Sequence, residues 1–221
     1  RSVVGGLYSE SAVCLVVPHN KRVPHDVIIP SNRILQANQG QIVVAEITDQ
    51  PTKRTPPIGR VVEVVGDHMG PGMETDIAIR AHDLPVEWPE AVTAEIASLG
   101  EEVPEAAKTG RTDLRELPLV TIDGADARDF DDAVHATPDD DPENAGGFRL
   151  VVAIGDVAHY VRAGDALDRT ANERGNSVYF PDRVIPMLPE GLSNGLCSLR
   201  PSEPRGCLAV EMVIDAQGKL K

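Results

Sequence analysis

Thr121-Ile122-Asp123-Gly124-Ala125-Asp126-Ala127-Arg128-Asp129-Phe130-Asp131-Asp132-Ala133-Val134 sets five aspartates within ten residues, between two runs of strand-forming apolar side chains. Carboxylates this dense repel one another unless cations neutralise them, and hard oxygen donors select Mg²⁺, Mn²⁺ or Ca²⁺. If Phe130 lies in a strand, Asp129 and Asp131 share one face while Phe130 turns the other way into the core. Asp123, at the end of a preceding strand, returns to that face through the 124–128 loop, and a kink at the strand entry adds Asp132. Three or four carboxylates then converge on one or two ions. Mg²⁺ prefers one or two direct carboxylates and keeps water and phosphate as its other ligands, which suits phosphodiester hydrolysis. In sites of this kind two ions stand about 3.5–4 Å apart, one activating water and the other stabilising the leaving oxygen, so no histidine or cysteine nucleophile is required. A calcium loop that only staples the fold stays open as an alternative. The run lacks the Asp-x-Asp-x-Asp-Gly spacing and distal glutamate of an EF-hand.

Downstream, strand patterns cover residues 133–136 and 148–154, matching the run at 117–122 on the other side. Residues 138–147 read as a solvated hairpin loop, 165–174 as a helix, and Val178-Tyr179-Phe180 leads into the proline-rich Ile185-Pro186-Met187-Leu188-Pro189. A mixed α/β domain follows from this order. Upstream, residues 101–109 are an acidic, proline-broken surface linker, and 73–81 and 89–99 are amphipathic helical stretches.

Before residue 66 the pattern changes to five short strands, at residues 3–4, 12–17, 26–29, 41–47 and 59–65, separated by turn residues. A small closed barrel of the OB type is the expected result. Its cations gather in the connections, Lys21 and Arg22 in one, Lys53 and Arg54 in another with Arg60 after it. Loop-borne charge of this kind tracks the backbone of a single strand, and with Tyr8 as the segment's one aromatic residue, phosphate contact is favoured over base stacking.

The 221 residues suit one large or two smaller domains, and 41% hydrophobic with 25% charged content is that of a soluble globular chain. No apolar run approaches the roughly 20 residues of a membrane span and no signal segment opens the chain, so a cytoplasmic setting is expected. Cys14, Cys197 and Cys207 lack metal-type spacing and read as free, buried thiols of a reducing compartment. The net charge of −14 argues against a polyanionic partner until its distribution is considered. Residues 1–60 carry +3, residues 61–143 carry −17, and the remainder is neutral. A basic front and an acidic middle suit a protein that holds a phosphate chain in one place and a divalent metal in another.

Ile122-Asp123 followed by Asp129-x-Asp131-Asp132-Ala133 resembles the hallmark of the RNB ribonucleases, the family of ribonuclease II and ribonuclease R. Leu119-Val120-Thr121-Ile122-Asp123-Gly124, Ser177-Val178-Tyr179-Phe180-Pro181, Ile185-Pro186-Met187-Leu188-Pro189 and Leu192-Ser193-Asn194-Gly195-Leu196-Cys197-Ser198-Leu199 are similar to the ribonuclease R branch. The resemblance implies an α+β, β-rich fold: a cold-shock OB barrel over 1–66, a helical connector over 67–111, and the first part of a mixed α/β RNB catalytic domain over 112–221. It implies a processive, Mg²⁺-dependent 3′-to-5′ exoribonuclease that releases 5′-mononucleotides, with Mn²⁺ as a substitute. Asp123, Asp129, Asp131 and Asp132 match the family's metal-binding aspartates, Asp131 being the one expected to be indispensable for turnover. Asp126 falls outside that pattern. Tyr179 matches the tyrosine that packs against a 3′-terminal nucleotide, and Asp156, His159 and Tyr160 are weaker candidates for the channel.

Implied partners are the 3′ end of single-stranded RNA and, beyond it, structured RNA, the ribosome or the decay machinery. No membrane partner is implied, and the full-length protein is expected to be a monomer. A complete family member has another cold-shock domain before this segment and the rest of the RNB domain and an S1 domain after it, so the chain is expected to be a fragment, weakly active or inactive alone. Two rival readings stay open, an RNA-binding module with a structural metal loop and a metal-dependent phosphatase for small substrates.

Overall fold

Five strands close into a barrel in the order β1-β2-β3-β5-β4: β1 (Ser2–Glu10), β2 (Val13–Pro18), β3 (Val27–Ile29), β4 (Gln41–Asp49) and β5 (Ile58–Asp67). The structure, a computed structural model, describes residues 1–10, 13–68 and 70–221, and for Glu10 the backbone alone. Residue 12, read as the start of the second strand, lies outside the described residues. Leu7, Val16, Val27, Ile29, Val43, Ala45 and Val61 fill the barrel interior. β4 is buried on both faces, because its alternate residues Ile42 and Val44 pack with Val4 against Met73 of α1 (Met73–Ala81). Full burial of each such side chain is worth ~1.5–3 kcal/mol. Register shifts between β4 and β5 bend the ladder enough to close it.

The strand pairing decides where the basic loops emerge. β1 runs antiparallel to both β2 and β4, with Gly5 opposite Pro18 and Ser2 opposite Glu46. The connections 19–26 and 50–57 therefore leave the same end of the barrel, and Lys21, Arg22, Lys53 and Arg54 are all exposed there.

Contacts divide the chain into two units, residues 1–86 with 179–185 and residues 87–178 with 186–221. The second contains α2 (Glu90–Leu99), the short α3 (Glu105–Lys108), β6 (Asp132–Pro138), β7 (Phe148–Gly155), α4 (Val157–Tyr160) and α5 (Ala166–Arg174). The hairpin of β8 (Val178–Tyr179) and β9 (Val184–Ile185) falls at the division, and a π-helical segment (Gly191–Leu196) and β10 (Cys207–Ile214) complete the chain. The second unit holds a three-stranded antiparallel sheet, β10-β7-β6, and a helical core of Val92, Tyr160, Leu167, Leu192, Leu196 and Cys197. In its register Leu208, Ile154 and Asp132 form one row and Val210, Val152 and Val134 the next, so that one sheet face is apolar and partly open. α5 is capped twice: Asp165 accepts the Asp168 N–H at 2.7 Å, and the Glu95 carboxylate of α2 accepts the N–H groups of Ala166 and Leu167, both at 3.0 Å.

Two local readings need correction. The expected strand over 117–122 is reduced to a single bridge between Val120 and Val134. Pro118 has no N–H to give a ladder, and Leu119 spends its own on the Leu117 carbonyl. The 138–147 loop does connect two strands, but it is not simply solvated. The Asp139 side chain is 1% exposed, covered by its own hairpin and held by Asn144 at 2.8 Å and Arg149 at 3.0 Å.

Candidate active site

The aspartate segment enters the sheet late. β6 begins at Asp132, opposite Ile154, so Asp129 to Asp131 precede the strand and do not lie inside it. Their backbone is nevertheless tied down from two sides. The Asp131 carbonyl accepts the Gly155 N–H at 2.9 Å, and the Phe130 carbonyl accepts the Leu199 N–H at 2.8 Å. Gly155 is required at its place, since a Cβ there would stand 2.3 Å from the Cys197 carbonyl oxygen. Asp123 sits in the loop before the segment, exposed, beside an Ile122 that is 84% exposed where a strand end was expected.

Three carboxylates act on a fourth, Asp131, at this entry. Asp131 still meets solvent, yet its carboxyl is raised above the ordinary range, first by partial loss of water and then by repulsion from Asp129, Asp132 and Asp123. Cys197 feels the same charge: burial pushes its thiol up to about 12, with the Asp131 and Asp156 carboxylates adding to the effect. It is an inert buried thiol, and all three cysteines are free. Among the described residues no three His, Cys, Asp or Glu side chains stand close enough to enclose one ion, so the convergence of three or four carboxylates expected from strand geometry does not form a closed shell. The donor set, all hard oxygen and mutually repelling, fits a divalent cation held by one or two carboxylates with water and phosphate completing its shell.

A family model for the RNB domain matches residues 111–221, half of the chain, and one for the cold shock domain matches residues 15–89. The chain belongs to the RNB family. Among its relatives, ribonuclease R of Escherichia coli (strain K12) is 54% identical over 218 residues, which cover 99% of this chain and 26% of the relative. This RNB chain thus spans about a quarter of that protein's length. The fold of this chain is similar to that of ribonuclease R from Mycoplasma genitalium, solved with double-stranded RNA (TM-score 0.88, 28% identity, 100% of this chain and 38% of the other). The same protein, solved with ribose-methylated single-stranded RNA, gives TM-score 0.88 at 28% identity over 100% of this chain and 34% of the other.

The remaining predicted residues of the RNB chain separate by surroundings. Tyr179, at the end of β8, is 66% exposed and is grouped with the barrel unit. Asp126 is exposed in the loop. Asp156 is buried in an ion pair with Arg111 at 2.6 Å, and Tyr160 is buried in the core with His159 edge-on at 4.9 Å, so these three are occupied structurally. Residue patterns carry no signal for Ser198 beyond its place in the run 192–199, yet its wholly buried side chain reaches the aspartate segment. Nothing in one sequence marks a serine 68 residues away as a partner of Phe130.

Proposed function

We propose that Asp123, Asp129, Asp131 and Asp132 form the metal-binding part of a hydrolytic exoribonuclease that removes 5′-mononucleotides processively from the 3′ end of RNA. The observation that supports this reading is the Asp131 carboxyl on a tethered backbone, raised by partial loss of water and then by repulsion from Asp129, Asp132 and Asp123, an arrangement unfavourable without a cation. Bound Mg²⁺, or Mn²⁺ in its place, would supply an activated water and neutralise charge at the scissile phosphate and the leaving 3′ oxygen. Asp131, with Asp129, is the residue assigned to turnover, and Asp123 and Asp132 complete the cation site. Tyr179 offers an exposed ring to a nucleotide near the 3′ end, a use that suits an aromatic face. Lys21, Arg22, Lys53 and Arg54, at one end of the barrel, hold the phosphate backbone.

The substrate reading draws on the Mycoplasma genitalium relative, solved in complex with double-stranded RNA and with ribose-methylated single-stranded RNA. No helix among the described residues is long and apolar enough to cross a membrane. The proposed setting is cytoplasmic.

The test is Asp131→Asn in the full reading frame that encodes this chain, assayed on single-stranded RNA with a 3′ hydroxyl. Mononucleotide release should fall by about 100-fold or more while RNA affinity is kept. Unchanged decay in Mg²⁺ would remove Asp131 from catalysis. RNA binding without any cleavage by the parent would favour a binding module, and phosphate release from small monoesters a phosphatase.

A further inference from the structure

Ser198 is wholly buried, between the π-helical segment and β10. Its hydroxyl oxygen accepts the Phe130 N–H at 3.0 Å and donates its own proton to the Arg128 carbonyl at 2.9 Å. These two groups bracket Asp129, one belonging to the residue before it and the other to the residue after. The next amide, Leu199, takes the Phe130 carbonyl at 2.8 Å. Three polar groups of the aspartate backbone, the Arg128 carbonyl and the N–H and carbonyl of Phe130, are thus satisfied by two neighbouring residues of a distant segment. With both flanking peptides pinned, the backbone torsions of Asp129 have little freedom, so the position from which its side chain departs is set from behind the segment. The rest of the core gains little from the hydroxyl, because both its donor and its acceptor are spent on this one turn. Without it, a buried N–H and a buried carbonyl lose their partner.

We infer that Ser198 is a positioning residue for the carboxylate cluster, fixing the backbone on both sides of Asp129 so that Asp129 and Asp131 meet a divalent cation without reorganising. This rests on the reading of those aspartates as cation ligands. A group that orients a ligand in this way is typically worth about 10–100-fold in metal affinity.

The experiment is Mn²⁺ binding by the 221-residue chain, followed by electron paramagnetic resonance, for the parent, Ser198→Ala and Leu167→Ala. Leu167 lies in the core on α5 and reports what a loss of packing alone does. Ser198→Ala should bind Mn²⁺ at least about 10-fold more weakly than the parent, while Leu167→Ala stays within about threefold. If the alanine variant does not fold, Ser198→Cys, which keeps a weaker donor and acceptor, should show an intermediate loss. Affinity within about threefold of the parent for the folded Ser198 variant, or an equal loss in Leu167→Ala, overturns the assignment. Should the parent itself bind no Mn²⁺, the metal reading fails on its own, and amide hydrogen exchange then decides the role of Ser198. Exchange at Phe130, relative to the β7 amides, should rise about 10-fold or more in the Ser198 variant, and an unchanged ratio sinks the inference.

Discussion

The cost of gathering carboxylates falls on Asp131. Its carboxyl sits above the ordinary 3.8 through partial loss of water and repulsion from Asp129, Asp132 and Asp123. A folded-state value above the unfolded one means that the folded chain holds this proton more tightly, so ionisation of Asp131 costs stability. That cost is absent below the unfolded value, grows as pH rises through the folded one and is complete above it. In metal-free buffer at pH 7, Asp131→Asn should therefore raise Tm, and the gain should disappear in acid below about pH 3.8, where both states carry the proton. Saturating Mg²⁺ should narrow or reverse the difference, because only the parent keeps the full cation site. Calorimetry across pH with and without EDTA measures both; a variant less stable than the parent in EDTA at pH 7 would contradict the repulsion account. The crowding of aspartates was legible in the residues themselves, whereas the serine behind them was not, since its two bonds span 68 and 70 positions.

Elements were readable where local and tertiary preferences agree. The 73–81 helix has its residue pattern, acidic residues in its first turn and Arg80 in its last, and it forms as expected. The 165–174 helix likewise starts with its own cap at Asp165. Its second cap comes from α2, through the two bonds from Glu95 to the N–H groups of Ala166 and Leu167. Glu95→Ala should cost ~1–3 kcal/mol in denaturant unfolding, because two amides at a helix start lose a charged acceptor. Glu95→Gln should recover part of that. A loss below about 0.5 kcal/mol would mean that water replaces the carboxylate. The run at 117–122 failed as a strand for a reason visible only at the level of the ladder. Apolar content favours extension there, but Pro118 withholds a donor and a single bridge is what remains.

At the scale of the molecule, antiparallel pairing collects on one barrel end the cations that the sequence scatters over two loops. Neutralising Lys21, Arg22, Lys53 and Arg54 together should weaken single-stranded RNA binding and flatten its salt dependence. If all four contact phosphate, the slope of log K against log salt drops by about 0.7 for each, close to 3 in all. Fluorescence anisotropy between about 50 and 200 mM salt reads this directly, and an unchanged slope would remove the barrel end from the RNA path. The open apolar rows of Leu208, Ile154 and Val210 belong to the same scale, since each of these residues looks like an ordinary strand position until the register aligns them on one face.

Composition and residue order were enough to yield the barrel, the alternation of strands and helices after it, and the density of acid that points to a cation. Those features rest on short-range physics: periodicity, turn chemistry and charge spacing act within a few residues. Three things waited for the packed chain: the entry of β6 at Asp132, the shared barrel end of the basic loops, and the hold of Ser198, Leu199 and Gly155 on the aspartate backbone. Each depends on hydrogen bonds between segments far apart in sequence, and such partners are chosen by where the folded elements meet.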